Sequence, residues 1–441
     1  MSDYVLDGYF RMKGIDPLVP YFIDNYKIRT KDKLFELYEY DEETDELRLP
    51  RSAVSHLPKE VQIEDNRVLG RNLDSLLVSQ FSAREGQESV INSVLEELIH
   101  TYSSLLLAAC GQGKTIMGSE IALRLGLSTC VLVHKEFLAK QWEDSFHILN
   151  PNIRVGRMQR DVVDTGNECD VVIAITQSVV NHKRDYGSSF YSSFGLIICD
   201  EVHRYGAELW QKAITKFPAK YRLGLTATPE RGDGMWRVIT SHISEKSSRL
   251  IAKSLIPKVF LVKTDATIPS SLYDKPWLDD TQKRAKIISI LSENEGRNEV
   301  ISRNVLRAYS VNRKTLVISE RRAQLEHLSK RVKAMGIDEE DIGFYVGGMK
   351  QEKLDIAAQK QVIFTTYQMT KEGLNVPDLD TLIMATPQSK VEQAVGRILR
   401  QVEGKGSPLV VDFCDELVPM LHGMSLGRLS QYKKLGYNTN R

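Results

Sequence analysis

From Gln80 onward, short runs of apolar residues alternate with stretches of helical period, which is the pattern of an α/β domain with a parallel sheet. Thr129–Val133 (TCVLV), Val171–Ile175 (VVIAI), 194–199 (FGLIIC), 223–229 (LGLTATP), Thr315–Ser319 (TLVIS) and Val362–Thr366 (VIFTT) read as strands buried on both faces. The first is followed at 134–142 (HKEFLAKQW) by the start of a helix. Several strands end in polar residues: Thr176, Gln177 and Ser178 after the second, Thr226 and Thr228 after the fourth, Thr366 on the sixth. Carboxyl ends of parallel strands are where an open α/β sheet binds ligands.

Residues 1–75 follow a different pattern and read as a small α+β module. In 26–34 (YKIRTKDKL) the two-residue period of a strand places Lys27, Arg29, Lys31 and Lys33 on one face. Residues 34–40 and 47–49 flank a polar stretch, 41–46, expected to be a hairpin tip. The segment carries 11 Lys and Arg against 16 Asp and Glu, a net charge of −5. Its basic face could grip phosphates; equally, it could be a solvated edge strand that its lysines keep from aggregating.

Chemistry enters at 105–120 (LLLAACGQGKTIMGSE), where an apolar run breaks into a Gly-containing loop that opens a helix. The backbone N–H groups of Cys110, Gly111, Gln112 and Gly113, with the positive end of the following helix, can wrap a polyphosphate. Lys114 would reach the outer phosphates, and Thr115 would offer its hydroxyl to Mg²⁺. The strict pattern has Gly where this chain has Ala108, so a plain strand-turn-helix connection with a chance GKT is the competing reading.

About 85 residues later, the apolar strand at 194–199 delivers Asp200, Glu201, Val202 and His203. Two carboxylates there have a specific use beside a phosphate cradle: Asp200 can hold Mg²⁺, and Glu201 can orient or deprotonate the attacking water. Burying either without such a partner would be costly. ATP and Mg²⁺ are therefore the expected cofactors.

Length and composition set outer bounds. A chain of 441 residues with 42% apolar content can bury two or three cores, and its net charge of +1 decides nothing about nucleic acid until the charges are located. The five cysteines never form a C-x-x-C pair, which fits a reducing cytosol better than a zinc ribbon or a disulfide frame. No run approaches the ~18 apolar residues that a membrane span needs, and residues 1–30 lack a signal-peptide core.

These motifs together resemble the superfamily-two helicases from about Phe81 to Asp412. Ala108 through Thr115 is similar to their first motif, Asp200 to His203 to their second, and Thr226 to Thr228 to their third. Gln87 stands where that family places its adenine-reading glutamine, with Arg84 just before it. Glu372, Gly373, Leu374 and Asn375 are similar to the fifth motif, in which Asp is more usual than Asn. Gln393, Gly396, Arg397 and Arg400 are similar to the sixth. Within the superfamily, 226–235 (TATPERGDGM) and 396–400 look most like the XPB and UvsW branch, although Arg231-Gly232-Asp233 lacks that branch's middle acid.

The resemblance implies two tandem RecA-like domains, at 78–247 and 248–441, behind an accessory domain at 1–77. It implies DNA as partner, branched, forked or single-stranded, and a monomeric motor for branch migration, encoded by a tailed phage and working in the host cytoplasm. His203, Thr226, Thr228 and Gln393 would couple the nucleotide to movement. Lys135, Thr176, Gln177, Ser178 and Thr366 would contact the strand, along with the N-terminal basic residues.

An NTPase of this kind needs a movable arginine to stabilise charge on the γ-phosphate, and Arg397 and Arg400 are spaced i, i+3 to share one helical face. Residues 281–335, with 13 Lys and Arg against 5 Asp and Glu, are the strongest electrostatic candidate for backbone contact. An RNA helicase and a restriction-system motor are the alternatives within the enzyme class. A nucleotide-switched binding protein is the alternative outside it.

Overall fold

The computed structural model describes residues 3–29, 34–74, 77–109, 111–159, 162–164, 169–181, 186–202, 207–227, 236–250, 255–272, 279–372, 374, 376–389, 391–399 and 405–440. The chain divides into two units, 1–252 and 253–441.

The first unit opens with β1 (Tyr4–Leu6), β2 (Phe10–Lys13), α1 (Val19–Asn25), β3 (Lys27–Arg29), β4 (Leu34–Glu36), β5 (Glu39–Asp41), β6 (Glu46–Leu49) and β7 (Glu64–Asp65). Five of the strands make a mixed sheet in the order β5-β6-β2-β1-β7, with β1 and β7 parallel. Alternation decides the faces: Phe10 and Met12 of β2 and Leu47 and Leu49 of β6 point inward. The polar stretch 41–46 does close a hairpin between β5 and β6, with Asp45 at φ 51°. Of the basic strand expected at 26–34, the described part is β3. β3 ends at Arg29 and pairs antiparallel with β4, which begins at Leu34, while Lys31 and Lys33 lie outside the described residues. Within β3, Lys27 and Arg29 flank Ile28, which is buried and pairs with the buried Phe35.

This small sheet is fastened to the larger sheet of the same unit. Leu6, Phe10, Phe22 and Leu47 belong to the same apolar cluster as Ile197, Trp210 and Phe217. Gly8 lies so close to residue 215 that a Cβ there would fall 1.9 Å from the Thr215 carbonyl oxygen. Arg51 donates to the carbonyls of Asp7, Phe217 and Ala219. Arg222 donates to those of Gly8, Ile214, Phe217 and His242. The Val68 N–H donates to the Pro218 carbonyl and the Lys220 N–H to the Val68 carbonyl, so the connection between the two sheets is itself strapped down.

The second sheet of this unit comprises β8 (Ser103–Leu107), β9 (Thr129–Val133), β10 (Val155–Gln159), β11 (Val162–Asp164), β12 (Val171–Ile175), β13 (Leu196–Cys199), β14 (Tyr221–Thr226) and β15 (Ser247–Arg249). Its order is β11-β10-β12-β9-β13-β14-β8-β15, parallel throughout except between β10 and β11. The wholly buried runs TCVLV and LIIC occupy its centre, where helices cover both faces and no polar side is tolerated. The covering helices include α2 (Gln87–Thr101), α3 (Lys114–Leu125) and α4 (Glu136–Leu149). α3 is bounded by two glycines in the left-handed region, Gly113 at its start and Gly126 at its end.

The second unit is a seven-stranded parallel sheet of β16 (Lys258–Lys263), β17 (Thr315–Ser319), β18 (Ile342–Tyr345), β19 (Val362–Thr366), β20 (Thr381–Met384), β21 (Leu409–Cys414) and β22 (Asn438–Asn440). They run in the order β18-β19-β17-β20-β21-β16-β22. Two fully buried ion pairs pin helices to it: Arg297 to Asp415 and Arg428 to Asp412. The chain is thus an α/β protein of two parallel-sheet domains with a small mixed N-terminal sheet. Among the described residues, no helix is long and apolar enough to cross a membrane.

The basic surplus of 281–335 looks different once folded. Arg284, Arg297, Arg303, Arg313, Lys314, Arg322, Arg331 and Lys333 all form ion pairs, many with acids outside the segment such as Asp378, Asp380 and Asp415. Net charge along the segment overstates the field it can project, because Asp378, Asp380 and Asp415, outside it in sequence, neutralise three of its cations.

Candidate functional site

β8 carries the chain up to Ala108, whose N–H donates to the carbonyl of Thr226 at the end of the neighbouring β14. The loop beyond it then turns through Gly111 (φ 85°) and Gly113 (φ 82°), backbone that a β-carbon would disfavour. Gly113 has a second constraint: a Cβ there would sit 2.9 Å from Gln87 Nε2. Gln87, first residue of α2, is buried and braces this loop, donating from Nε2 to the carbonyl of Gln112 and accepting the Arg84 N–H on Oε1. Gln112 in turn accepts the Ala109 N–H on its own side-chain oxygen. Cys110 lies outside the described residues.

Lys114 is only 8% exposed. Its Nζ donates to the Ala108 carbonyl at 3.1 Å and stands 3.5 Å from Glu201 Oε1. The ammonium is therefore folded back between the Ala108 carbonyl and the Glu201 carboxylate. Thr115, next on α3, is partly exposed.

β13 delivers Asp200 into the interior, where its N–H donates to the Leu132 carbonyl. Burial, and then the adjacent Glu201 carboxylate, push Asp200 well above the ordinary carboxylate range, while Lys114 and a hydrogen bond from Trp142 pull the other way. Glu201 adopts φ 49°, a left-handed conformation for a residue with a side chain. Such a conformation costs about 1–3 kcal/mol and persists where the surroundings impose it. A hard divalent cation fits these donors. The Asp200 carboxylate is desolvated beside a second negative charge, and carboxylate and hydroxyl oxygens are what Mg²⁺ takes, with phosphates completing its shell. Thr115 and Asp200 would hold it, where it would neutralise phosphate charge.

The other expected residues divide by placement. Thr226 is fully buried at the end of β14. Thr176 is also fully buried, donating to the Val133 carbonyl, and Ser178 is buried too, so of 176–178 only Gln177 presents its side chain to solvent. Lys135 and Arg29 are exposed, while Lys27 and Thr366 are half-buried. His203, Thr228, Gly373 and Arg400 lie outside the described residues; Glu372 ends the helix Tyr367–Glu372 and Gln393 lies within the helix Glu392–Val395.

Arg397 lies beyond the end of the helix Glu392–Val395, and Arg400, expected to share a helical face with it, lies outside the described residues. That helix stops at Val395, and the chain continues in tight turns closed by Arg397 N–H to Ala394 and Ile398 N–H to Val395. Arg397 donates from Nη1 to the Leu374 carbonyl, tying this turn to the segment 372–376. Val391, Val395 and Ile398 are buried together in one cluster.

Sequence reasoning missed Gln141 and Trp142 of α4. Their one signal was proximity to the end of a buried strand, in 134–142.

Comparison with known proteins bears on the same region. Residues 80–231 match the family described as Type III restriction enzyme, res subunit. A protein of Acanthamoeba polyphaga mimivirus, provisionally named an ATP-dependent RNA helicase, is 30% identical over 367 residues, which is 81% of this chain and 69% of its own. A similarly named protein of African swine fever virus (strain Badajoz 1971 Vero-adapted) is 26% identical over 383 residues, 81% of this chain and 74% of its own. In fold, the helicase domain of Hef from Pyrococcus furiosus matches 79% of this chain and 98% of its own, with a TM-score of 0.52 at 15% identity.

Proposed function

This chain belongs to the superfamily-two helicases, ATP hydrolases, and from that premise we propose that it is a DNA translocase acting on forked and junction DNA. The observation that carries the reading is the fixed mounting of the N-terminal sheet on the first motor domain, through Arg51, Arg222 and a shared apolar cluster. A motor needs only its two parallel-sheet domains to hydrolyse ATP and track a strand. An additional element held rigidly on one of them is suited to hold or part a second duplex arm at a constant offset. The likeness of 226–235 and 396–400 to the XPB and UvsW branch supports the same reading.

In the proposed cycle Lys114 would neutralise the outer phosphates, and Thr115 and Asp200 would hold Mg²⁺. Glu201 would orient the attacking water, and the family resemblance assigns Arg397 and Arg400 to stabilising charge on the γ-phosphate. Gln87 reports on the cradle through its bond to Gln112. Lys135 and Gln177, exposed beyond the carboxyl ends of β9 and β12, are the candidate strand contacts in the first unit.

RNA is the competing substrate, favoured by the names of the two viral relatives. ATPase stimulation compared across single-stranded DNA, duplex DNA, forks, four-way junctions and RNA decides between them. Strongest stimulation by forks and junctions is the expected outcome; stimulation by RNA equal to or above that by any DNA overturns the proposal.

A further inference from the structure

Two adjacent side chains of α4 touch the two groups expected to hold the metal. Trp142 Nε1 donates to Asp200 Oδ2 at 2.9 Å, across 58 positions of sequence, with both residues buried. Gln141 Nε2 donates to Thr115 Oγ1 at 3.3 Å. Consecutive helical residues point about 100° apart, so one helix can reach two different elements with neighbours in sequence only if it runs close over both. α4 does so because α3 makes room for it. A Cβ on Gly118 would lie 2.7 Å from Trp142 Cη2 and 3.0 Å from Leu225 Cδ1. The indole thus lies against the helix of the phosphate cradle while its N–H reaches the carboxylate at the end of β13.

We propose that Gln141 and Trp142 are positioning residues for the magnesium site, setting the orientation of the Asp200 carboxylate and the Thr115 hydroxyl. The physical reasoning is general. A buried carboxylate that must present one oxygen to a cation has to be kept from rotating, and an N–H fixed on its other oxygen does this. The indole donates only, so it cannot compete with the carboxylate for the metal. A hydroxyl oxygen that accepts from Gln141 retains a second lone pair for a cation.

The inference rests on the assignment of Thr115 and Asp200 to Mg²⁺. Trp142→Phe keeps the ring against Gly118 and removes the N–H. Binding of a fluorescent ATP analogue is measured in EDTA and across a Mg²⁺ titration, alongside thermal unfolding. Wild type should bind more tightly as Mg²⁺ rises; in Trp142→Phe the Mg²⁺ concentration giving half of that gain should rise about 10- to 100-fold, the usual effect of losing an outer-shell partner. Affinity in EDTA should stay unchanged. Gly118→Ala, which touches neither ligand but displaces the indole, should shift the Mg²⁺ midpoint the same way, and Gln141→Ala should shift it less. A wild-type Mg²⁺ midpoint in folded Trp142→Phe and Gly118→Ala proteins overturns the proposal. If wild type itself shows no Mg²⁺-dependent gain, it is instead the assignment of the metal ligands that fails.

Discussion

Lys114 Nζ stands 3.5 Å from Glu201 Oε1, so the cation meant for the phosphates and the carboxylate meant for the water neutralise each other across the cradle. Each therefore has a structural role besides its chemical one. Lys114→Ala should lower kcat by at least about 10²–10³, the scale of losing one preorganised charge-stabilising donor. It should also cost about 1–3 kcal/mol of stability by stranding a largely buried carboxylate. Adding Glu201→Gln to it should restore part of the melting temperature and none of the turnover. A steady-state ATPase assay with thermal melts of the single and double variants checks both parts.

Glu201 alone separates binding from chemistry. Glu201→Gln should retain nucleotide affinity while kcat falls about 10²–10⁴, the range for a general base. Because Glu201 sits at φ 49°, Glu201→Gly should abolish turnover yet relieve backbone strain. Equal melting temperatures for the Gln and Gly variants would show that the strain is not stored there.

The N-terminal sheet should not behave as a removable accessory. Arg222 is buried among carbonyl acceptors, and burial pulls its pKa down to about 10, leaving it charged at neutral pH. Arg222→Met should destabilise the first unit by about 2–4 kcal/mol through unsatisfied carbonyls and lost charge-assisted bonds. Deleting residues 1–66 should yield aggregated protein, since Ile197, Trp210 and Phe217 lose their apolar partners. Well-folded truncated protein with wild-type melting would contradict the shared core.

Stability should fall below neutral pH through His242. Burial first, then Arg222 and Arg51, hold its imidazole well below the ordinary histidine range, so it is neutral in the fold. Its ring packs edge-on to Trp210, with centroids 5.6 Å apart. In the unfolded chain it protonates near 6.5. Its contribution is accordingly complete above about pH 6.5 and is lost as pH drops toward the depressed folded value, at up to ~1.4 kcal/mol per pH unit. Denaturant melts of wild type and His242→Leu between pH 5 and 8 should show a shallower slope in the variant.

The two arginines of the sixth motif should separate kinetically. Arg400→Ala should lower kcat by about 10³–10⁵ with little change in nucleotide affinity, as arginine fingers do. Arg397→Ala, which loses a bond to the Leu374 carbonyl, should perturb affinity and turnover together. A Mg-ATP binding isotherm beside the turnover rate distinguishes the cases.

Much of the site could be read from sequence because its motifs are local. The cradle at 108–115 and the strand ending in Asp200 each lie within a few consecutive residues, and wholly apolar runs marked β9, β12, β17 and β19 to the residue. What escaped was long-range. The Trp142 bond to Asp200, the Arg222 bond to the Gly8 carbonyl and the Arg297 pair with Asp415 join residues 58, 214 and 118 positions apart.

The bond from Arg51 to Ala219 has a consequence for synthesis on the ribosome. The two residues are 168 positions apart. At about 5–20 residues per second, roughly 8–34 s pass between their emergence. Throughout that interval the sheet of Phe10, Leu47 and Leu49 has formed no cover with Ile197 or Phe217 and exposes an apolar face to the cell. This sheet, made well before the residues that cover it, is therefore among the last parts of its unit to be secured, and its yield should depend on how long that face stays bare rather than on the speed of its own hairpins.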